Sequence, residues 1–142
     1  YKKYGINSIC YRPFSGYGED QDLNYPFPSI CKRILLNKDK KRFTVWGSGN
    51  QMRDFIHIDD VIDGIILSMK STSGICNIAS GNGTSIGDLA KLFIQLSGKN
   101  SEIIHKSARD GEIIYSVANI TKSQKELGFY PKISLDVGLN TL

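Results

Sequence analysis

Apolar residues recur along this chain at two different periods. Short runs alternate them with other side chains: Ile6 to Arg12 (INSICYR), Arg42 to Gly47 (RFTVWG), Arg53 to Ile58 (RDFIHI), Gly74 to Ala79 (GICNIA) and Ser101 to His105 (SEIIH). This alternation in β-rich segments predicts short strands. Elsewhere the apolar spacing is three or four residues. Ser29 to Leu36 carries Ile30, Ile34 and Leu35; Asp59 to Lys70 carries Val61, Ile62, Ile65, Ile66 and Met69; Ser85 to Gly98 carries Ile86, Leu89, Ala90, Phe93 and Leu96. Each predicts a helix with one apolar face.

Helix boundaries are written beside these patterns. Asp59 and Asp60 stand where carboxylates can cap free N–H groups. Ser85-x-x-Asp88 is a capping-box pattern, and Gly98 is a stop. Thr121, with Gln124 three residues on, predicts a capped short helix closed by Gly128, and Ser134 opens a last one. Ile113 to Asn119 reads as a further extended stretch, and Pro13 to Pro28 as a long loop of the kind that often carries function. Strands alternating with helices predict an α/β fold. The strands are too few and too short for a complete doubly wound sheet, and both ends read as truncated. No internal repeat or low-complexity tract is evident.

Composition narrows the function classes. The 142 residues suit one domain, 40% are hydrophobic and 23% charged, and no apolar run approaches a membrane span. Cys10, Cys31 and Cys76 lack metal-ligand spacing, so we expect idle thiols in a cytoplasmic protein and no metal site. The net charge of +4 gathers partly in Asn37 to Phe43 (NKDKKRF). That run is short and reads as a helix end plus a loop, which disfavours a nucleic-acid partner. His57 and His105 have no neighbouring Ser or Cys nucleophile, and His57 reads as structural.

Three stretches are candidates for chemistry. Asn77 to Gly87 (NIASGNGTSIG) superficially resembles a dinucleotide loop. Its spacing places Gly87 inside the following helix, so a structural left-handed turn is the better reading. Arg53 follows the turn Gly47 to Asn50; it either pairs with a nearby aspartate or clamps a phosphate with its planar fork. Arg109 stands in the polar turn Ser107 to Glu112, and only the fold can bring it beside Arg53.

YGINSICYRPFSGYGEDQ, VWGSGNQMRDFIHIDDVIDGI, CNIASGNGTSIGDLAKL, ARDGE and ITKSQKELGFYPKISLDVGL together resemble the C-terminal half of an extended short-chain dehydrogenase/reductase. More narrowly, they are similar to NAD-dependent nucleotide-sugar epimerases and dehydratases. The resemblance covers nearly the whole chain. It implies the substrate-binding part of a Rossmann-type enzyme, with a few short strands packed with helices. Residues 1–18 would end the NAD-binding core, and residues 19–142 would form the substrate region, some segments returning to the core. The implied partner is a nucleoside-diphosphate sugar, and the implied cofactor is NAD, held mainly by a half not seen here.

By the same resemblance Arg53 and Arg109 contact the substrate diphosphate. Trp46 lies near the nucleotide base, either stacking or as a core aromatic. Tyr115 lies close to a tyrosine of the substrate pocket. Pro13 and Phe14 belong to the nicotinamide-side loop. Ser15 stands where the family carries an Asn on the substrate phosphate, and Asn77 matches an asparagine sometimes near substrate. The Gly-rich loop and the Tyr-x-x-x-Lys pair of the family are absent from this sequence, so no catalytic residue is expected in this chain. The full-length parent would be a homodimer pairing through the other half. The rival expectation is a stand-alone, non-catalytic nucleotide-sugar binding module.

Overall fold

The computed structural model describes residues 3–6, 8–22, 25–36, 41–69 and 74–141. The basic positions 37–40 lie outside the described residues. Among the described residues, eight strands and five helices follow in the order β1 (Ile9–Pro13), β2 (Ser15–Tyr17), α1 (Pro26–Leu35), β3 (Arg42–Trp46), β4 (Met52–His57), α2 (Ile58–Ser68), β5 (Gly74–Ile78), β6 (Gly83–Ser85), α3 (Ile86–Leu96), β7 (Glu102–Lys106), β8 (Tyr115–Ser116), α4 (Thr121–Leu127) and α5 (Leu135–Leu139). The strands form three small sheets, so the fold is α/β as expected. β1 pairs parallel with β5, and β3 parallel with β7. The third sheet is built on β4, which carries β2 and β8 in parallel and β6 antiparallel.

β4 is the wall between two hydrophobic cores, because successive strand residues face opposite ways. Phe55 points into a core with Tyr17, Phe27, Val45, Leu89 and Phe93. Its neighbour Ile56 points into a second core with Val61, Cys76, Ile78 and Phe129. Burying a side chain of this size contributes about 1.5–3 kcal/mol, so the two cores fix β4 from both faces. Rings stiffen the first core: Tyr17 stacks on Phe27 at 4.5 Å, and Phe93 meets Phe27 edge-on at 5.3 Å.

The helix signals were legible with several corrections, the first being that α1 begins at Pro26, inside the stretch expected to be loop, where β2 also lies. In α3, Ser85 accepts from Asp88 N–H at 2.9 Å and Leu89, Ala90 and Phe93 are buried, but Leu96 is exposed. α2 is capped by the His57 ring, which accepts from Asp59 N–H at 3.3 Å, so the aspartates are not its caps. Asp60 is buried and instead accepts from the Lys132 and Ile133 amides at 2.9 and 3.0 Å. Thr121 is the first residue of α4 and makes no side-chain cap; its amide donates to Asn119 Oδ1 at 2.9 Å.

The apolar face read on α2 divides. Val61 is buried, with Gly64 and Ser68, whereas Ile62, Ile65, Ile66 and Met69 are exposed. Gly64 explains the choice of face: a Cβ there would lie 3.0 Å from Ile78 and 3.2 Å from Phe129. The helix therefore lays its smallest residues on the second core and turns its isoleucines outward.

Burial, with Asp60 and Asp136 adding to it, pushes the Tyr17 hydroxyl from 10.0 up to about 12. The neutral phenol is thus favoured in the folded state, and no stability is lost to it below pH 10. Between pH 10 and 12 the unfolded chain releases this proton first, so stability falls as pH rises. Urea melts of wild type and Tyr17→Phe across that window should diverge, with wild type losing up to about 1.4 kcal/mol more per pH unit. Parallel curves would remove the burial argument.

Candidate functional site

Arg53 has the same strand parity as Phe55, so it emerges on the side of the first core. Two hollows meet there. A cleft of about 460 Å³ is lined by Phe14, Ser15, Tyr25, Arg53, Phe55 and Ser116, among others. A smaller cavity of about 170 Å³ is lined by Arg33, Trp46, Arg53, Ile86, Arg109 and Glu112, among others. Arg53 belongs to both. The register of β8 on β4 sets Ser116 directly beside it.

The smaller cavity gathers three guanidinium groups. Arg33 and Arg109 lie over the indole of Trp46, 4.6 and 4.7 Å from its centre. Such cation–π contacts orient a guanidinium without neutralising it. Arg33 donates to the Thr44 carbonyl at 3.0 Å, and Arg53 to the Met52 carbonyl at 2.8 Å. Burial, then the charge of Arg109, lowers the Arg33 pKa from its usual value. Among the described residues, no ion pair includes any of these arginines.

The aspartates that could have paired with Arg53 are committed elsewhere. Asp59 lies 3.6 Å from His57, Asp60 holds the 132–133 backbone, and Asp54 faces the other core. Glu112 lines the cavity, but one of its oxygens accepts from the Gln51 amide at 2.9 Å. The same Gln51 nitrogen reaches the Trp46 carbonyl at 3.0 Å, which ties the turn after β3 to the Arg109 segment. Gly47 sits at φ +69° above it, where a Cβ would lie 2.3 Å from that nitrogen.

The structure thus brings together Phe14, Ser15, Trp46, Arg53 and Arg109, with Pro13 at the cleft rim. It does not bring Asn77 or Tyr115 to them. Asn77 donates to the Asn119 carbonyl at 3.0 Å and lines a separate hollow beside Arg12 and Lys125. Tyr115 is exposed in another depression with Tyr130, and it is Ser116 that faces the cleft. One step along a strand reverses the face, which separates these two neighbours. Arg33 was missed from sequence, although a signal existed: a charge flanking the buried Ile30 and Ile34 on one amphipathic helix.

The glycine loop after β5 proves to be a turn already filled. Gly81 adopts φ +76°, and the Asp54 carboxylate accepts from the Ser80 and Gly81 amides at 2.8 and 3.0 Å. Those are the N–H groups a dinucleotide phosphate would need. Gly87 is spent on close approach: its amide donates to the Gly49 carbonyl at 2.8 Å, and a Cβ would lie 3.2 Å from that oxygen. Among the described residues there is no cluster fit to hold a metal, and no helix is long and apolar enough to cross a membrane.

Trp46 is the chain's one tryptophan and sits against two of the guanidiniums. Titrating inorganic pyrophosphate should therefore change its fluorescence saturably, with affinity falling as salt is raised because the contacts are charge-assisted. An unchanged emission spectrum at millimolar pyrophosphate would argue against an anion site here.

A family model described as "NAD dependent epimerase/dehydratase family" matches residues 1–79. The chain is 31% identical over 138 residues to the UDP-glucuronate 4-epimerase of Thermodesulfobacterium geofontis, covering 96% of this chain and 42% of that protein. It is 28% identical to the probable GDP-L-fucose synthase 1 of Oryza sativa subsp. japonica, covering 96% and 44%. Among solved structures, the UDP-glucose 4-epimerase of Thermotoga maritima with UDP-glucose superposes with a TM-score of 0.86 at 29% identity, covering 97% of this chain and 45% of that one. The UDP-glucuronic acid 4-epimerase of Bacillus cereus, in complex with UDP-glucuronic acid and NAD, gives 0.84 at 29% identity, covering 98% and 45%. The chain spans less than half the length of these relatives.

Proposed function

Because the chain belongs to the NAD-dependent epimerase/dehydratase family, we propose that it is the substrate-binding C-terminal part of an enzyme that epimerises or dehydrates the sugar of a nucleoside diphosphate sugar. The observation that carries this reading is the cavity lined by Arg33, Arg53 and Arg109, none of them in an ion pair among the described residues. Three fixed cations against the single carboxylate of Glu112 leave the cavity lining net positive, which fits a diphosphate, whose oxygens accept bidentate bonds from planar guanidiniums. The relatives solved with UDP-glucose and UDP-glucuronic acid support this choice of ligand class.

Each residue then has a physical role. Arg53, at the junction of the two hollows, holds the phosphate next to the sugar. Arg109 and Arg33 grip the remaining charge, and Trp46 keeps both guanidiniums oriented. The sugar occupies the larger cleft, where the hydroxyls of Ser15, Tyr25 and Ser116 offer neutral hydrogen bonds. Ser15 reaches less far than an amide, so its contact is confined to a group close to β2. Phe14, at the same cleft, offers an apolar wall to the nicotinamide end of NAD, with Pro13 fixing the backbone before it. When bound, NAD supplies the hydride acceptor. The glycine turn after β5, which superficially resembles a phosphate cradle, already has its Ser80 and Gly81 amides bonded to Asp54 and offers them to no cofactor phosphate.

The acid–base pair would come from a further part of a longer polypeptide. Two surfaces support such a part. Ile62, Ile65, Ile66 and Met69 expose an apolar stripe on α2, and Ile75 on β5 is likewise half-exposed. An apolar patch of this kind marks a contact surface. The second core, with β1, α2 and β5, would then be the portion that continues the NAD-binding half, and the first core would be the substrate region.

Calorimetry of the full-length protein against UDP-, GDP-, dTDP- and CDP-sugars tests the reading. One sugar nucleotide should bind, and Arg53→Ala should weaken it by about 1.5–3 kcal/mol, the scale of a hydrogen bond to a charged group. Unaltered affinity in that variant would discard the clamp.

A further inference from the structure

Asp54 has no part in the cavity, yet it is the most heavily bonded side chain near it. The residue is fully buried on β4, directly after Arg53. Strand parity turns it away from the guanidiniums and into the second side of the sheet. One carboxylate oxygen accepts from the Ser80 amide at 2.8 Å and the Ser80 hydroxyl at 2.6 Å. The other accepts from the Gly81 amide at 3.0 Å and the Ala118 amide at 3.2 Å. No cation pairs with it among the described residues. A buried charge without a counter-ion is costly unless every lone pair is satisfied, and here four donors from two chain segments satisfy it.

The identity of those donors matters. All four are N–H or O–H groups, so the site requires an acceptor at both oxygens. Asparagine has the same shape but would point its NH₂ at two amide donors. The second segment matters as well. Ala118 follows β8, and β8 follows the turn that carries Arg109. β8 itself is two residues long and holds β4 only through Met52↔Tyr115 and Arg53↔Ser116. The Met52 amide adds one bond to the Ile114 carbonyl at 2.8 Å. So short a ladder is prone to slip, and a slip of one residue would exchange Ser116 for Tyr115 at the cleft and displace Arg109.

We propose that Asp54 is a positioning residue: its carboxylate locks the segment after β8 in register on β4 and thereby sets Arg109 opposite Arg53 across the anion cavity. This rests on the diphosphate reading above. Arg53 and Asp54 divide the work through strand parity, one side chain binding on one face while the next fastens the partner segment on the other.

A double-mutant cycle in the full-length protein, read by calorimetry with UDP and by hydrogen–deuterium exchange, tests it. Asp54→Asn should weaken UDP about tenfold or more, and Arg109→Ala should then cost almost nothing further, because its guanidinium is already displaced. Arg53→Ala should keep its full effect in the Asp54→Asn background, since β4 remains held by β2, β6 and both cores. A general loosening of the fold would blunt both arginines alike. Exchange in peptides spanning residues 107–119 should accelerate in Asp54→Asn, whether or not UDP binds. Ser80→Ala removes one of the four donors and leaves the carboxylate in place; it should show a smaller loss with the same non-additivity, and it serves if Asp54→Asn does not fold. Losses from Asp54→Asn and Arg109→Ala that simply multiply would overturn the proposal, as would unaltered exchange in 107–119. If neither arginine affects UDP, the diphosphate reading has failed, and the exchange data alone decide whether Asp54 sets the register.

Discussion

The two-residue repeat of β4 is the constraint on which the rest depends. Met52 to His57 is bordered by strands along both edges and packed on both faces, so each side chain has its side assigned. Phe55 and Ile56 anchor opposite cores. Arg53 and Asp54, one turn of the pleat earlier, carry opposite charges to opposite faces. Adjacent in sequence and opposite in charge, they cannot neutralise each other across the sheet. The strand separates a face that carries guanidinium from one that carries carboxylate.

Charge placement elsewhere follows from this separation. The aspartates nearest Arg53 are consumed by backbone distant in sequence: Asp54 by Ser80, Gly81 and Ala118, and Asp60 by Lys132 and Ile133. Buried carboxylates of this kind act as knots between distant segments, because a backbone amide has no other acceptor at hand. What remains on the cavity side is an excess of guanidinium held by main-chain carbonyls and one indole. Those contacts orient the cations without neutralising them, and Glu112 is the one carboxylate in the cavity lining.

The two cores also differ in what they border. The first closes over the cleft with aromatic rings from β2, α1, β4 and α3. The second joins β1, β5, α2 and α4 and leaves the isoleucines of α2 outside. A helix that buries Gly64 and Ser68 while exposing Ile62 and Ile66 contradicts the usual amphipathic rule if the surface is taken as final. It obeys the rule if that face has a partner, as expected for a chain that spans under half the length of its relatives.

Local chemistry was legible from the amino-acid order alone. The α/β alternation, the Ser85–Asp88 cap and the left-handed Gly128 stop depend on neighbours within a few residues, and they appear where the pattern put them. The resemblance in the ordered motifs likewise pointed to Arg53 and Arg109. Whether 53 and 109 would meet could not be read that way, because their approach depends on β8 joining β4, a pairing between segments some sixty residues apart. The same is true of Arg33, which reaches the cavity because its side chain extends from α1 to Thr44 and Trp46 of β3. It is true of Tyr115 and Ser116 as well, where the register of a two-residue strand decided which neighbour faced the cleft. Periodicity assigns a face to each residue, but only long-range pairing decides what that face meets.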